Sequence, residues 1–382
     1  VDRGLPRALD LVDVPTPCFV IDEDRLEQNL AVLSRVKQAT GCKVLLALKA
    51  FAAFAVFPQL RRVLDGCCAS SVHEARLARE EFGGEVHAFA AAYSDQDARE
   101  LRELCDHVVF NSQAQLDRRR DELSRAGVHL GLRVNPEHSE VEVPIYDPCS
   151  PGSRLGVRRA QLDPDRLHGL AGLHFHTLCE LGADALQRTL QVFEDRFAEF
   201  IPGRDYVNFG GGHHVTRPDY DVDLLIRLVN DFKTRHGVQV YLEPGEAVAL
   251  DAGYLVTTIL DVVRADMDVA IMDASVAAHM PDVIEMPYRP PLAGAARPAE
   301  KPHAFRLAGP SCLAGDVAGE YAFNLPLRPG DKIAFTDQAH YTMVKTNTFN
   351  GVRLPSIALF SEARGLRVIR EFGYRDFKTR LS

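Results

Sequence analysis

Four short stretches of this chain carry residue types that do chemistry when brought together. In the first, residues 43–50 (KVLLALKA), Lys49 follows a run of apolar residues. Burial at the end of such a run depresses an amine's pKa and makes it a nucleophile that bonds an aldehyde. On this stretch alone, Lys49 reads more readily as the first solvated residue after a strand. The second is His174-Phe175-His176, where alternation along a strand sends both imidazoles to one side. The third, Gly210-Gly211-Gly212, lets backbone N–H groups approach an anion and also suits a tight turn. The fourth, Glu243-Pro244-Gly245-Glu246, supplies two carboxylates. Two chemistries fit. An aldehyde cofactor with a phosphate and a ring nitrogen uses the amine, the glycines, a stacking imidazole and a carboxylate. A metal centre uses the histidines, including His213 and His214, with Glu243, and leaves Lys49 and the glycines without a task.

The elements that must position these residues alternate with unusual regularity. Residues 44–48 read as a strand buried on both faces, and further strands are expected at 67–70, 86–90, 107–110, 130–134, 170–175, 206–209 and 238–242. Helical stretches separate them, with starts marked by Asp24 and Glu27, Ser71 and Glu74, and Ser112 and Gln115. Eight such strands predict an eight-stranded parallel (β/α)8 barrel over 24–250. A doubly wound sheet is the alternative, weakened because no GxGxxG follows the first strand. From 251 to 382 the texture changes to strands with turn signals between them, at 254–263, 269–272, 305–307, 332–336, 342–344, 357–360 and 366–369. This predicts a mostly β C-terminal domain, which a strand at 15–23 is expected to join.

Bulk properties exclude several functions. The formal charge of −9 and the lack of a basic stripe argue against nucleic acid. No apolar run is long enough to span a bilayer and none of signal type opens the chain, so no membrane partner and a cytoplasmic location are expected. The eight cysteines include no CxxC, which favours free thiols over a zinc site or a disulfide framework.

In a barrel all four stretches end strands at one mouth, where barrel active sites lie. Amine, anion cradle, ring-stacker and carboxylate then point most economically to pyridoxal 5′-phosphate, with the aldehyde on Lys49, the phosphate on the glycines and Glu243 at the pyridine nitrogen. A carboxylate there keeps that nitrogen protonated, which favours decarboxylation. No metal is expected on this reading.

The chain also resembles the barrel-fold (alanine racemase-like, fold type III) pyridoxal-phosphate decarboxylases, which include the ornithine and diaminopimelate decarboxylases. The resemblance runs from VPTPCFVID to FGYRDFK. Its most specific stretches are LALKAF, HFHTLCE, NFGGGHH, YLEPGEA, HMPDVIEMPYRP, GPSCLAGD and HYTMVKTNTFNG. Within the family it is most similar to the branch acting on carboxylated polyamines. The resemblance implies that Lys49 bonds the cofactor, His176 stacks on its ring, Glu243 meets its nitrogen, and Gly211, Gly212 and Tyr341 hold its phosphate. It also implies that Cys312 enters the partner subunit's site and returns a proton, which requires a homodimer. Two departures bear on substrate. Glu246 stands where relatives carry arginine, and Leu313 where they carry an acidic residue after the cysteine. Glu246 and Asp282 are therefore expected to receive the ammonium groups of a carboxylated polyamine, since buried ammonium groups need carboxylate partners. The alternatives are a diaminopimelate or ornithine decarboxylase and, outside enzymes, a pyridoxal-phosphate binding protein, which would be a single barrel without Cys312 and Tyr341.

Overall fold

The first strand, β1 (Cys18–Asp22), is separated from β2 (Lys43–Ala47) by an 18-residue helix, Glu23–Thr40. The helix starts one residue before Asp24. Its cap is Asp22, whose Oδ1 accepts from the N–H groups of Asp24 (3.1 Å) and Arg25 (3.0 Å), in place of the expected Asp24–Glu27 box. The computed structural model describes residues 4–382. These form two compact units, Asn29–Val248 on one side and, on the other, the described residues up to Gln28 with Ala249–Ser382.

The unit Asn29–Val248 is built from β2, β3 (Gly66–Ala69), β4 (Glu85–Phe89), β5 (His107–Phe110), β6 (His129–Asn135), β7 (Val157–Arg158), β8 (Gly172–His174), β9 (Tyr206–Asn208) and β10 (Gln239–Leu242). Every pairing is parallel, in the order β5-β4-β3-β2-β10-β9-β8-β6, and a β5–β6 pairing closes the ring. The short β7 attaches only to β6. The result is a closed eight-stranded barrel, as the alternation of apolar strands and helices predicts. Ser71 and Ser112 cap the helices Val72–Leu77 and Gln113–Arg125 by accepting from the N–H groups of Glu74 and Gln115.

Large rings fill the barrel interior. Tyr206 lies 5.3 Å from Tyr241, ring to ring. A Cβ on Gly172 would stand 2.3 Å from the Tyr206 ring, so only glycine fits that strand position. At the N-terminal ends of the strands His87, His107 and His129 pair in register on β4, β5 and β6. Their rings stack at 4.0 Å and 4.8 Å.

The other unit centres on a mostly antiparallel sheet of β1, β11 (Gly253–Arg264), β12 (Asp268–Met272), β13 (His303–Ala308), β14 (Val317–Phe323), β15 (Lys332–Thr336), β16 (Ser356–Ser361) and β17 (Gly365–Arg370). β1 lies between β11 and β16. Alternation divides its side chains: Phe19 joins one apolar layer with Leu255 and Phe335, while Cys18 and Val20 join another with Tyr254 and Phe360. One expectation fails here, and one strand has no counterpart among those expected. Residues 342–344 form the helix Thr342–Lys345 rather than a strand. β14, with Gly319 inside it, lies outside the expected strands. No helix among the described residues is long and apolar enough to cross a membrane.

Candidate active site

Parallel strands put the residues that follow them at one end of the barrel, and six of the nine singled-out side chains belong to this unit. Lys49 stands two residues past the end of β2, in the turn Leu48–Ala50, and is exposed. This differs from the expected buried strand end, because the ladder of β2 stops at Ala47. Its ammonium is nevertheless turned toward the mouth. It acts on His176 and His174 and on the carboxyl of Glu74.

Glu243 follows β10 and is buried. Asn208, the last residue of β9, donates from Nδ2 to Glu243 Oε1 at 2.7 Å and accepts the Gly210 N–H on Oδ1 at 2.8 Å. One amide thus sets both the carboxylate and the glycine turn. The other carboxylate oxygen, Oε2, is 3.6 Å from His174 Nε2, beyond hydrogen-bond reach. His176, half-buried, accepts the Gly211 N–H on Nδ1 at 3.0 Å, so its proton sits on Nε2. The glycine turn is obligatory. A Cβ on Gly211 would lie 2.3 Å from the Glu243 carbonyl oxygen, and one on Gly212, at φ +80°, would lie 1.9 Å from that of Leu178.

Two residues of this site escaped sequence reasoning. Asn208 is one. The other is Arg133 on β6, buried, whose guanidinium donates to the His176 carbonyl at 3.0 Å and lies 4.6 Å from the Phe89 ring centroid. Burial pulls it down to about 10. A cation inside the apolar run of 130–134 was the available signal. Glu246 opens the helix Glu246–Ala249 and approaches His214 Nε2 at 3.4 Å. Donor atoms of His174, His176 and Glu243 lie within 4.8 Å of one another, so three members of the metal alternative do converge; His213 and His214 are not in that group.

The other three residues belong to the sheet unit. Cys312 is exposed; its N–H donates to Asn350 Oδ1 at 3.3 Å and its Sγ accepts from Asn350 Nδ2 at 3.1 Å. Its loop is clamped by buried Asp316, which accepts from the N–H groups of Val276 (2.6 Å), Ala277 (3.1 Å) and Ser311 (3.1 Å). Asp282 begins the helix Asp282–Glu285 but makes no capping bond; its carboxylate pairs with Lys345, which also reaches Glu285 at 2.8 Å. Tyr341 precedes the helix Thr342–Lys345 at φ 37°, a left-handed conformation costly for an aromatic residue.

Comparison with known proteins decides between the two chemistries. Residues 18–339 match the family model described as pyridoxal-dependent decarboxylase, C-terminal sheet domain. The chain belongs to the pyridoxal-dependent decarboxylases. A carboxynorspermidine/carboxyspermidine decarboxylase of Campylobacter jejuni is 43% identical over 96% of this chain and 98% of that protein. A carboxyaminopropylagmatine decarboxylase of Synechocystis is 45% identical over 97% and 96%. The crystal structure of Campylobacter jejuni carboxynorspermidine decarboxylase complexed with norspermidine superimposes with a TM-score of 0.89 at 42% identity, covering 96% of this chain and all of that one.

Pyridoxal phosphate is thus the cofactor of this decarboxylase, and the site fits it. Lys49 would supply the amine, and Glu243 keeps Oε2 outside hydrogen-bond reach of His174. Burial makes the surroundings neutral: it holds His176 well below the usual imidazole range, with the Lys49 charge second, and takes His174 and His213 to about 4. In the sheet unit burial likewise takes His279 to about 4.

Those low values make stability depend on pH. An unfolded histidine takes up a proton near 6.5, whereas these stay neutral in the fold until about 4. Stability is expected to fall as pH drops from 6.5 toward 4, by about 2 kcal/mol for each such histidine at pH 5 relative to pH 7. Asp22 and Glu74, whose carboxyls burial raises, act in the opposite sense. A urea midpoint clearly lower at pH 5 than at pH 7 is the expected result, flattened in His213→Gln; an unchanged midpoint contradicts it.

Proposed function

We propose that this decarboxylase removes the α-carboxylate of carboxynorspermidine or carboxyspermidine, giving norspermidine or spermidine in polyamine biosynthesis. The observation that carries the reading is the 43% identity over nearly the full chain to a protein of that name. The bound cofactor supplies an electron sink for the pair left when carbon dioxide departs. The chain does the rest. Glu243, held by Asn208, keeps a negative charge against the ring nitrogen. His176 flanks the ring, with its orientation set by the Gly211 N–H and by Arg133. Lys49 provides the amine that bonds the cofactor, and Gly211, Gly212 and Tyr341 hold its phosphate.

Glu246 and Asp282 receive the ammonium groups of the substrate. Asp282 already carries Lys345, so an arriving ammonium shares or replaces that partner. Glu246→Gln removes one charge and is expected to raise KM for the carboxylated polyamines by roughly tenfold with little change in kcat. Steady-state kinetics on both substrates checks this, and an unchanged KM removes Glu246 from the substrate site.

Cys312 of a second copy returns the proton to the decarboxylated carbon, in a homodimer. This is supported by the thiol's exposure beside Leu313, 42% exposed, and near Phe349, 43% exposed, next to Asn350. Mixing inactive Lys49→Ala and Cys312→Ala proteins would restore activity if each site draws on both copies; a mixture as inactive as its parts contradicts the dimeric site. The eight free cysteines support a reducing cytoplasm.

A second reading differs only at the far end of the substrate. The 45% identical relative is named for carboxyaminopropylagmatine, which ends in a guanidinium. A carboxylate receives either cation, so relative kcat/KM on the two substrates separates the readings.

A further inference from the structure

The catalytic residues use the C-terminal ends of the barrel strands, yet the opposite end of the same unit holds an equally organised polar cluster. Glu85 opens β4, His87 lies two residues on, and His107 opens β5. One donor atom from each lies within 4.8 Å of the other two. The Glu85 carboxylate is divided: Oε1 holds the Lys43 ammonium, while Oε2 lies 3.2 Å from His87 Nε2 and accepts the Tyr241 hydroxyl at 2.9 Å.

The cluster also contains polar atoms that the protein leaves unsatisfied. His87 is 1% exposed and His107 9% exposed, and Nδ1 of each is buried without a hydrogen-bond partner among the described residues. The Tyr206 hydroxyl, whose ring lies 5.2 Å from that of His107, is in the same position. Buried polar groups normally find partners, and several orphans in one place mark a site for something else. Register alone brings the imidazoles together, so the ladder is a product of strand pairing rather than of mobile side chains. Access is available, because Glu85 and Lys43 are only half-buried and His129, the next rung, is exposed.

We propose that Glu85, His87 and His107 form a divalent transition-metal site at the N-terminal end of the barrel. Two imidazole nitrogens and one carboxylate oxygen suit a borderline ion such as Zn²⁺ or Co²⁺, with water in the fourth position. Tetrahedral ligands stand roughly 3.3 Å apart around such an ion. The His87 and His107 rings, stacked at 4.0 Å, must tilt toward the ion to close the present gaps, and Lys43 keeps its own oxygen of Glu85. The ion ties β4 to β5 and takes no part in decarboxylation.

The test is titration of the chelator-treated, pyridoxal-phosphate-loaded enzyme with Co²⁺, followed by d–d absorption and thermal unfolding. One ion per chain, a higher Tm and an unchanged cofactor spectrum are expected. Glu85→Gln and His107→Gln should each weaken binding by at least about tenfold. Lys43→Met, at a half-exposed position that threatens folding least, should tighten it by removing a positive charge that repels the ion from the neighbouring carboxylate. Absence of stoichiometric binding overturns the proposal. So does affinity unchanged in Lys43→Met, or a shift of the cofactor spectrum on adding metal, which would put the ion at His174, His176 and Glu243 instead.

Discussion

Lys49→Arg is expected to lower turnover by about three orders of magnitude or more while leaving stability within about 0.5 kcal/mol of the parent. The two effects separate because of where the residue sits. Lys49 is exposed in a turn beyond β2, so its side chain contributes little packing. Arginine keeps the positive charge near His176 and Glu74, yet a guanidinium stays protonated and has no lone pair with which to bond an aldehyde. The parent should show a visible band of lysine-bound cofactor that borohydride bleaches, with the added mass on the peptide containing Lys49. The variant should lack that covalent link. A parent protein without such a band, or an arginine variant of near-normal turnover, contradicts the assignment.

Glu243→Gln is expected to cost about a hundredfold or more in kcat, with a smaller change in KM. The amide is isosteric, and its oxygen still accepts from Asn208, so the β9–β10 arrangement and the glycine turn should survive. What would be lost is the negative charge proposed to keep the ring nitrogen protonated, and with it the electron sink. A fall in kcat accompanied by an altered cofactor absorption spectrum, at unchanged fold by circular dichroism, is the expected pattern. Equal loss through KM alone would mean that Glu243 serves binding rather than chemistry.

The barrel was legible because its strands are short apolar runs separated by helices, and the lack of a GxGxxG after the first strand weakened the doubly wound alternative. The candidate site residues stand out by type: an amine, glycines, imidazoles and carboxylates near strand ends have few joint uses. Their supports were not. Asn208 reads as an ordinary polar residue until the pairing of β9 with β10 sets it opposite Tyr241 and brings it to Glu243. The Asp282–Lys345 pair spans 63 positions, beyond any local pattern. Local signals also misled. The β-branched residues of 342–344 favour a strand, but the left-handed turn at Tyr341 starts a helix. The apolar run before Lys49 suggests a strand reaching up to it, but the ladder ends two residues earlier, at Ala47.

The most direct test of the reading is the release of carbon dioxide by the purified, cofactor-loaded protein from carboxynorspermidine, carboxyspermidine, diaminopimelate and ornithine in parallel. Glu246 in place of arginine after Glu243-Pro244-Gly245, together with Asp282, predicts kcat/KM at least tenfold higher on a carboxylated polyamine than on either amino acid, with norspermidine or spermidine as product. Faster turnover of diaminopimelate or ornithine, or no carbon dioxide from any of the four, would contradict it.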